Sequence, residues 1–367
     1  MSVEIVAAIA HDAQSAFVCE AVEIDQPRED EILVRIAGVG ICHTDLVWKS
    51  AGRIPYPLVL GHEGAGIVER IGAKVSNVQV GDRVIISFRS CGGCVRCTGG
   101  LPCYCNGLVD LNFTGARTDG IRALRQDGRP VSSNFFGQSS FATHALTYER
   151  NVVLAPADLP LEICGPLACG VQTGAGAVMR SLACEVGTSI LILGGGAVGL
   201  SAVMGAKIRG CSSIIVLEPH EERRQLAMEL GATHVLDPNG ASDLSAAVRA
   251  IVSEGADYAF DTTGIPELIE KALLSLGSHG TLGIVGANSP DARLPGTLRE
   301  LIFTGRTIKG IIEGDSDPQT FIPELIEHYR AGRLPFDKLV KTYPLSAINE
   351  AVRDQHDGKC VKAVLIP

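Results

Sequence analysis

From residue 189 onward the chain alternates short, almost uninterrupted apolar runs with longer amphipathic stretches. The runs are SILIL, SIIVLEP, HVLDP, YAFDTT and TIKGIIEG. A helix is predicted to begin near His220, because Leu226, Ala227 and Leu230 share one face, and to end at Gly231. Strands that are apolar on both faces and alternate with helices are typical of a parallel sheet covered on both sides. This half is therefore predicted to be an α/β domain with a doubly wound parallel sheet.

The first 150 residues have a different pattern, in which β-type runs are separated by Gly, Asp and Asn turns. Examples are EILVRIAGVGI, GAGIVERIG and GDRVIIS. The last fifty or so residues contain one helix and one strand, which is too little chain for a separate core. We therefore expect a β-rich domain over 1–170 that is completed by 312–367, with a nucleotide-binding domain over 171–311 inserted between them.

Composition narrows the class of partner. At 367 residues, with 46% hydrophobic and 20% charged residues, the chain is long enough for about two globular domains. Its 32 basic and 41 acidic residues give a net charge of −9, which disfavours binding to nucleic acid or to an anionic membrane. No apolar run reaches the length of a membrane span, and no export signal is visible. These features predict a cytoplasmic protein with a small-molecule partner.

Four of the twelve cysteines lie within fifteen residues and form the clearest local motif. Cys91, Cys94, Cys97 and Cys105 have the spacing CxxCxxCx7C in a glycine-rich segment. Four thiolates can enclose one tetrahedral Zn²⁺ and leave no open position, as in structural zinc sites. An iron–sulfur cluster also takes four thiolates, but its usual spacings differ. Cys103 lies in the same segment and is a competing ligand.

A second possible metal site is dispersed along the chain. Its candidate ligands are Cys42 in GICHTD, His62 in GHEGAG and Cys169 in LACGVQTG. Two thiolates and one imidazole leave a fourth position open, which is the arrangement of a catalytic zinc. A single Cys or His is more often an ordinary core residue, so this assignment rests on the flanking glycines. Asp45 and Glu63 are expected to orient His62 from outside the ligand set.

The third motif, GGGAVG, follows an apolar strand and begins a predicted helix. Gly194, Gly196 and Gly199 match GxGxxG, in which glycines permit a tight turn and a close approach to a pyrophosphate. Glu218 ends the next strand nineteen residues after Gly199, where a carboxylate accepts hydrogen bonds from ribose hydroxyls and repels a 2′-phosphate. NAD is therefore favoured over NADP. Arg223 is either a ribose contact that weakens this exclusion or a solvated helix residue.

Taken in this order, the motifs resemble those of the zinc-dependent medium-chain alcohol dehydrogenases, from about Glu31 to the end. The segments FFGQSSFATHA, GPLACGVQTGAGA and DTTG look like those of the aryl-alcohol (benzyl alcohol) and geraniol dehydrogenases. The resemblance implies a Rossmann-type NAD-binding domain beside a GroES-like catalytic domain. It also implies two zinc ions per chain and a homodimer or homotetramer.

The resemblance also assigns roles to individual residues. It implies that Cys42, His62 and Cys169 bind the catalytic zinc, and that Cys91, Cys94, Cys97 and Cys105 bind the structural zinc. Thr44 would take the substrate proton, Thr173 and Val198 would contact the nicotinamide, and His43 and Lys362 would contact the pyrophosphate. Members of the family often carry a histidine three residues after this Thr, whereas this chain has Val47. The proton must therefore leave by another route.

We expect an enzyme that oxidises primary aromatic or allylic alcohols to aldehydes, reversibly and with NAD. Phe135 and Phe136 are candidates for flat apolar walls of the substrate pocket, or they are ordinary core residues. An aliphatic or thiol-adduct alcohol dehydrogenase would share every motif. A non-catalytic zinc- and nucleotide-binding protein would need only the four-cysteine site and the glycine-rich loop.

Overall fold

The structure is a computed structural model that describes residues 2–240, 243–286 and 292–367. The chain forms two compact units. The first contains residues 1–169, 317–325 and 337–367, and the second contains residues 170–316 and 326–336. No helix in the described part of the chain is both long and apolar enough to cross a bilayer.

The strands are numbered in chain order. They are β1 (Val3–Ala10), β2 (Val18–Ile24), β3 (Glu31–Gly40), β4 (Leu58–Val59), β5 (Glu63–Ile71), β6 (Arg83–Ile86), β7 (Leu124–Gln126), β8 (Arg129–Val131), β9 (His144–Tyr148), β10 (Val152–Leu154), β11 (Ser189–Leu193), β12 (Ser213–Leu217), β13 (His234–Leu236), β14 (Ala256–Asp261), β15 (Leu276–Ile284), β16 (Thr307–Gly310), β17 (Val340–Pro344) and β18 (Lys362–Ile366).

The helices are numbered in the same way. They are α1 (His43–Ala51), α2 (Val95–Thr98), α3 (Leu108–Asn112), α4 (Gly170–Gly176), α5 (Ala197–Arg209), α6 (Glu221–Leu230), α7 (Leu244–Ile251), α8 (Pro266–Ser275), α9 (Leu298–Thr304), α10 (Pro318–Arg330) and α11 (Ile348–His356). Short 3₁₀ turns at Phe135–Gly137 and Glu313–Asp315 also bear on the site.

The second unit is built on a six-stranded parallel sheet in the order β13-β12-β11-β14-β15-β16. From β11 the chain moves outward to β12 and β13, then returns to place β14 on the other side of β11. This reversal creates a crevice at the carboxyl ends of β11 and β14, where such sheets bind ligands. The prediction of a doubly wound parallel sheet is confirmed, and α6 runs between His220 and Gly231 with Ala227 and Leu230 buried.

The first unit contains two largely antiparallel sheets. One has the order β4-β1-β2-β7-β8, and the other has the order β10-β6-β5-β3-β18-β17 with β9 also paired to β3. Apolar residues of these strands, including Ile9, Leu33 and Leu58, are at most 1% exposed and form one core with Phe141 from the loop before β9. The expectation of a β-rich fold for this part is confirmed.

The end of the chain contributes to both units. β18 joins the first unit by pairing antiparallel with the end of β3, so that Val364 lies opposite Gly40. Residues 312–316 and 326–336 group with the second unit, whereas the sequence analysis assigned them to the first. One physical reason is that the Glu313 carboxylate accepts a hydrogen bond from Gln172 Nε2 at 2.9 Å, which ties this turn to α4.

Candidate functional site

Strand pairing brings the first two candidate zinc ligands together. β3 and β5 are antiparallel with Gly40 opposite Glu63, so the end of β3 lies beside the start of β5. Cys42 follows β3 and precedes α1, and His62 immediately precedes β5. Cys42 and His62 are twenty positions apart in the chain, but they lie close together because β5 begins beside the point where β3 ends.

The third ligand is brought close by a glycine. Cys169 follows the 3₁₀ turn Gly165–Ala168, and a Cβ at Gly165 would lie only 2.0 Å from the Glu63 carbonyl oxygen. Only glycine allows this approach of two backbones. The Ser87 hydroxyl donates to the Ala168 carbonyl at 2.7 Å and holds the turn in place.

Asp45 organises the ligands from behind. Its carboxylate is fully buried, and Oδ1 accepts from His62 Nδ1 at 2.9 Å and from the Gly61 amide at 3.0 Å. Oδ2 accepts from the Cys42 amide at 3.0 Å. The bond to Nδ1 fixes the tautomer of His62 and turns Nε2 toward the thiols, as in carboxylate–histidine–zinc arrangements.

Glu63 does not share that task, which corrects one expectation. Its carboxylate reaches to within 4.8 Å of the Cys42, His62 and Cys169 donor atoms, and Oε1 accepts from Lys362 Nζ at 2.7 Å. Neighbouring residues at a strand start point in different directions, so His62 and Glu63 meet different partners. Burial raises the pKa of the Glu63 carboxyl to about 7, although the charge of Lys362 opposes that shift.

Lys362 also differs from the expectation based on resemblance. It is 3% exposed, and its ammonium donates to Glu63 and to the Ile41 carbonyl at 3.0 Å instead of lying free for a pyrophosphate. Burial lowers the pKa of Lys362, but the charges of Glu63, Cys42 and Cys169 outweigh burial and the net shift is upward. The physical reason is that a buried carboxylate beside two thiols requires a compensating cation.

The donor set fits a zinc ion. Cys42, His62 and Cys169 contribute two sulfurs and one nitrogen that lie within 4.8 Å of one another. His62 Nε2 is buried and has no hydrogen-bond partner among the described residues, as expected for an atom reserved for a metal. A hydrogen bond from Cys169 holds the pKa of the Cys42 thiol well below its usual range despite burial, so Cys42 is ready to act as a thiolate.

An aromatic cluster borders His62. The Phe136 ring stacks on the imidazole with centroids 4.3 Å apart, and Phe113 meets Phe136 edge-on at 5.0 Å. Trp48 stacks on Phe113 at 4.4 Å. Phe135 is completely buried and meets the His62 imidazole edge-on at 5.6 Å, and Phe136 is 8% exposed, so both predicted pocket walls also belong to the hydrophobic core.

The Phe136 ring owes its position to an unusual loop that the sequence analysis missed. Phe136 has φ +53°, and its carbonyl accepts from Asn151 Nδ2 at 3.1 Å. The buried Gln138 side chain accepts from the Gly64 amide at 3.1 Å and donates to the His62 carbonyl at 2.9 Å. A left-handed phenylalanine is strained, and such strain persists where surrounding contacts over-determine the backbone. Nothing in the local sequence indicates it except Asn134 and Gly137, which lie on either side of the Phe135–Phe136 pair.

The four-cysteine lobe is a local structure. The Cys91, Cys94, Cys97 and Cys105 sulfurs lie within 4.8 Å of one another. Backbone amides point at them: the Cys91 amide donates to Cys105 Sγ at 3.3 Å and the Cys94 amide to Cys91 Sγ at 3.4 Å. Hydrogen bonds from Asn106 and Cys97 amides lower the pKa of the Cys94 thiol to about 6, which favours the thiolate. Cys103 lies outside this group, because its side chain is fully buried in the hydrophobic core.

The glycine-rich loop of the second unit has the geometry of a nucleotide cradle. Gly194 has φ +95°, and a Cβ at Gly199 would lie 1.9 Å from the Gly194 carbonyl oxygen. The turn and the close packing of α5 on β11 therefore both require glycine. A Cβ at Gly196 would meet no described atom within 4 Å, which leaves room for a bound group at the N-terminus of α5.

Glu218 faces this loop. It is 3% exposed, and its carboxylate accepts from the Gly195 amide at 2.6 Å and from the His220 amide at 2.9 Å. Arg223 is half-buried on the first turn of α6. The next residue, Arg224, donates to the Glu218 carbonyl at 2.8 Å, a contact that the sequence analysis did not anticipate.

The remaining predicted residues lie on α1, α4 and α5. His43 is exposed at the start of α1, Thr44 follows it half-buried, and Val198 lies in the first turn of α5. The Thr173 hydroxyl, on α4, donates to Glu313 at 3.3 Å.

Comparison with known proteins agrees with this arrangement. Residues 28–157 match the alcohol dehydrogenase GroES-like domain, and residues 197–329 match the zinc-binding dehydrogenase domain. The chain is 48% identical over 361 residues to a geraniol dehydrogenase of Castellaniella defragrans, covering 98% of this chain and 97% of that protein.

Two solved structures resemble the chain along its whole length. One is an alcohol dehydrogenase zinc-binding domain protein from Burkholderia ambifaria, with a TM-score of 0.97, 45% identity and complete coverage of both chains. The other is benzyl alcohol dehydrogenase from Acinetobacter calcoaceticus, with a TM-score of 0.95, 41% identity and 99% coverage of both chains.

Proposed function

The chain belongs to the zinc-binding medium-chain alcohol dehydrogenases, and on that premise we propose that it oxidises primary aromatic or allylic alcohols reversibly to aldehydes with NAD. The observation that carries the proposal is the Cys42–His62–Cys169 donor set, in which His62 and Cys169 are buried, with Asp45 behind His62 and the Phe136 ring stacked against the imidazole. A non-catalytic metal- and nucleotide-binding protein would have no use for an open ligand set beside an aromatic wall.

Zinc at this site would supply Lewis acidity that makes an alcohol hydroxyl more acidic. Cys42 and Cys169 would hold it as thiolates and His62 through Nε2. Asp45 would keep the imidazole oriented through its bond to Nδ1, and Lys362 would compensate the charge of Glu63 at the edge of the site. Zinc in the four-cysteine lobe would be structural.

Thr44 would accept the proton that the alcohol loses. It lies two residues after Cys42, in the first turn of α1, and a hydroxyl both accepts and donates. Val47 can do neither, so the proton would leave by a route that does not include residue 47.

The second unit would hold NAD across the carboxyl ends of its strands. The pyrophosphate would lie on the loop that contains Gly194, Gly196 and Gly199, and Glu218 would bind the adenosine ribose and exclude a 2′-phosphate. We assign the nicotinamide contacts to Thr173 and Val198, and a pyrophosphate contact to His43.

The substrate class is inferred from the aromatic cluster. Phe136, Phe113 and Trp48 offer flat apolar surfaces to a benzylic or allylic group, and aromatic contacts are worth about 0.5–1.5 kcal/mol each beyond burial. The geraniol and benzyl alcohol dehydrogenases to which the chain is similar are consistent with both kinds of substrate.

The test is a set of initial rates with NAD on benzyl alcohol, geraniol, ethanol, S-(hydroxymethyl)glutathione and sorbitol, with a zinc count on the same sample. We expect the highest kcat/KM on benzyl alcohol or geraniol, and two zinc ions per chain for the two clusters. Preference for ethanol or the glutathione adduct would favour the aliphatic or thiol-adduct enzyme. One zinc and no turnover would favour the binding protein.

We also propose that the enzyme is a homodimer or homotetramer of the cytoplasm. Leu298, Ile302 and Phe303 on α9 are 77–80% exposed, and an apolar patch of this kind marks an interaction surface. Seven of the twelve cysteines belong to the two clusters and must stay reduced, which a reducing compartment maintains. Light scattering on the purified protein and cell fractionation test these two points.

A further inference from the structure

A buried amide side chain connects the four-cysteine lobe with the aromatic cluster and has no part in the mechanism above. Asn112, the last residue of α3, is fully buried. Its Oδ1 accepts from the Arg89 amide at 2.9 Å. Its Nδ2 donates to the Arg89 carbonyl at 2.9 Å and to the Leu108 carbonyl at 2.7 Å. One side chain thus clamps the end of α3 to the backbone of Arg89.

The clamp closes the base of the lobe. Arg89 lies two residues before Cys91, the first cysteine of the lobe, and α3 begins three residues after Cys105, the last one. Arg89 and Asn112 are 23 positions apart, so no local turn holds them together. The two ends of the lobe are therefore joined by hydrogen bonds that involve none of its four thiols.

Arg89 also packs against the loop that carries Phe136. A Cβ at Gly137, the residue after Phe136, would lie only 2.9 Å from Arg89 Cβ, so the backbone of this loop lies directly against the Arg89 side chain. Phe113 follows Asn112 immediately. The clamp therefore fixes the segment that carries the Phe113 ring to the residue against which the Phe136 loop packs.

The relative position of the two rings depends on this clamp. α3 has only five residues, too few for a helix that is stable by itself, so the end of α3 must be held from outside. Phe113 meets Phe136 edge-on at 5.0 Å, with 89° between the ring planes. Trp48, which stacks on Phe113, and Phe113 itself are half-buried, so both keep aromatic surface that a substrate can contact.

We propose that Asn112 is a positioning residue for substrate selection, because it holds the Phe113 ring at a fixed place beside Phe136. The inference rests on the proposed function, in particular on the assignment of the aromatic cluster to the substrate pocket. A ring that is already in place loses little conformational freedom when a planar alcohol binds to it. Asn112 thereby favours aromatic and allylic alcohols without touching the substrate or the zinc ligands.

The test is a set of steady-state rates of the zinc-loaded full-length enzyme on benzyl alcohol and ethanol, for wild type and for N112A. We expect KM for benzyl alcohol to rise about three- to tenfold, which corresponds to the loss of one aromatic contact. The kcat should change less than about twofold, since a contact made equally in the ground state and the transition state affects KM alone. Ethanol has no planar group to contact Phe113, so its kcat/KM should stay as in wild type.

The chain offers a matched control for the loss of a buried clamp. Asn349 makes the same pair of bonds to the backbone of Phe17, where its Oδ1 accepts from the amide at 2.9 Å and its Nδ2 donates to the carbonyl at 2.8 Å. N349A should therefore lower the unfolding temperature as N112A does, but it should leave the ratio of benzyl alcohol to ethanol efficiency unchanged.

A double-mutant cycle shows whether Asn112 acts through Phe113. F113A should lower the ratio of benzyl alcohol to ethanol efficiency by as much as N112A or more, and adding N112A to F113A should lower it no further. If N112A does not fold, N112S provides a second variant with the same expected shift, because a serine is too short to span both backbones.

Lower stability of N112A with an unchanged ratio would overturn the proposal, because Asn112 would then be only structural. Additive effects of N112A and F113A would also overturn it, since the effect would not pass through the Phe113 ring. Wild-type enzyme that prefers ethanol to benzyl alcohol and geraniol would instead contradict the proposed substrate class.

Discussion

The two thiol clusters of the first unit have similar ligands and opposite construction. The lobe with Cys91, Cys94, Cys97 and Cys105 comes from one fifteen-residue segment, and Cys91 is exposed. The Cys42–His62–Cys169 set comes from three distant segments, with His62 and Cys169 buried. A local cluster needs only glycines and turns, whereas the dispersed cluster needs the β3–β5 register and the close approach at Gly165.

The side chains and backbone groups around the two clusters also differ. Sulfurs in the lobe accept from backbone amides, for example those of Cys91 and Cys94. The dispersed set is held by ionisable side chains, with Asp45 on His62 and a Glu63–Lys362 pair beside the thiols. Backbone amides suffice to hold a closed structural metal, but charged side chains that tune pKa values are typical of sites that carry out chemistry.

The largest effect should separate the two clusters directly. Cys42→Ser should lower turnover by at least about 10³-fold, since losing the Lewis acid removes some 4 kcal/mol of transition-state stabilisation. Its unfolding temperature should stay near that of wild type, and its zinc content should fall from two to one. Turnover with benzyl alcohol, calorimetry and metal analysis check this. A variant that keeps most of its activity would remove Cys42 from the mechanism.

Cys94→Ser is the matched counterpart and should act on stability. Loss of the lobe's metal removes binding free energy that contributes to folding, and a loss of 2 kcal/mol lowers the unfolding temperature by about 4–8 °C. At low temperature the remaining folded enzyme should turn over at close to the wild-type rate per catalytic zinc. Unchanged stability together with lost turnover would reverse the roles assigned to the clusters.

Only the catalytic cluster needs a path for a proton, so the next prediction concerns Thr44. Thr44→Val should lower turnover by roughly 10²–10⁴-fold, the usual contribution of a positioned proton-transfer group. Thr44→Ser should restore most of the loss, and Val47→Ala should leave the pH dependence of the rate unchanged. Near-normal turnover in Thr44→Val with both zinc ions bound would mean that water takes the proton directly.

A smaller effect should follow from weakening the side chain behind His62. Asp45→Asn loses the charge, and its amide group cannot accept from both the Cys42 amide and His62. We expect zinc affinity at this cluster to fall 10–100-fold, as for other groups that orient metal ligands. Competition with a chelator measures it. Asp110→Asn, which changes an exposed acid near the lobe, should have no such effect.

The smallest effect concerns the second unit, which also combines a contiguous motif with a distant residue. The glycine-rich loop and Glu218 are both proposed to bind the cofactor. Glu218→Ser should raise the ratio of NADP to NAD efficiency by at least about tenfold, a change of 1.4 kcal/mol. Glu222→Ser on the exposed face of α6 is the control and should leave the ratio unchanged. An unchanged ratio in Glu218→Ser would show that another residue selects the cofactor.

Much of the molecule could be predicted from the sequence because the relevant signals are local. Continuous apolar runs specify strands buried on both faces, and GGGAVG specifies a turn that only glycine can form. The spacing of Cys91, Cys94, Cys97 and Cys105 by itself indicates a four-thiolate metal site, because all four ligands come from one short segment. These features depend on a few neighbouring residues, so they can be recognised in the sequence without knowing what packs against them.

Tertiary structure alone decided the partners of the buried charges and rings. The sequence identified both Asp45 and Glu63 as candidates for orienting His62. Only the direction of each side chain shows that Asp45 accepts a hydrogen bond from His62, whereas Glu63 accepts one from Lys362. The sequence could not show that Phe136 stacks on the imidazole whereas Phe135 meets it edge-on, because that difference lies in a strained backbone held by Asn151 and Gln138. Likewise Glu313 meets Thr173 only because the turn after β16 packs against α4. Interactions between residues far apart in the chain depend on register and packing, which no local pattern encodes.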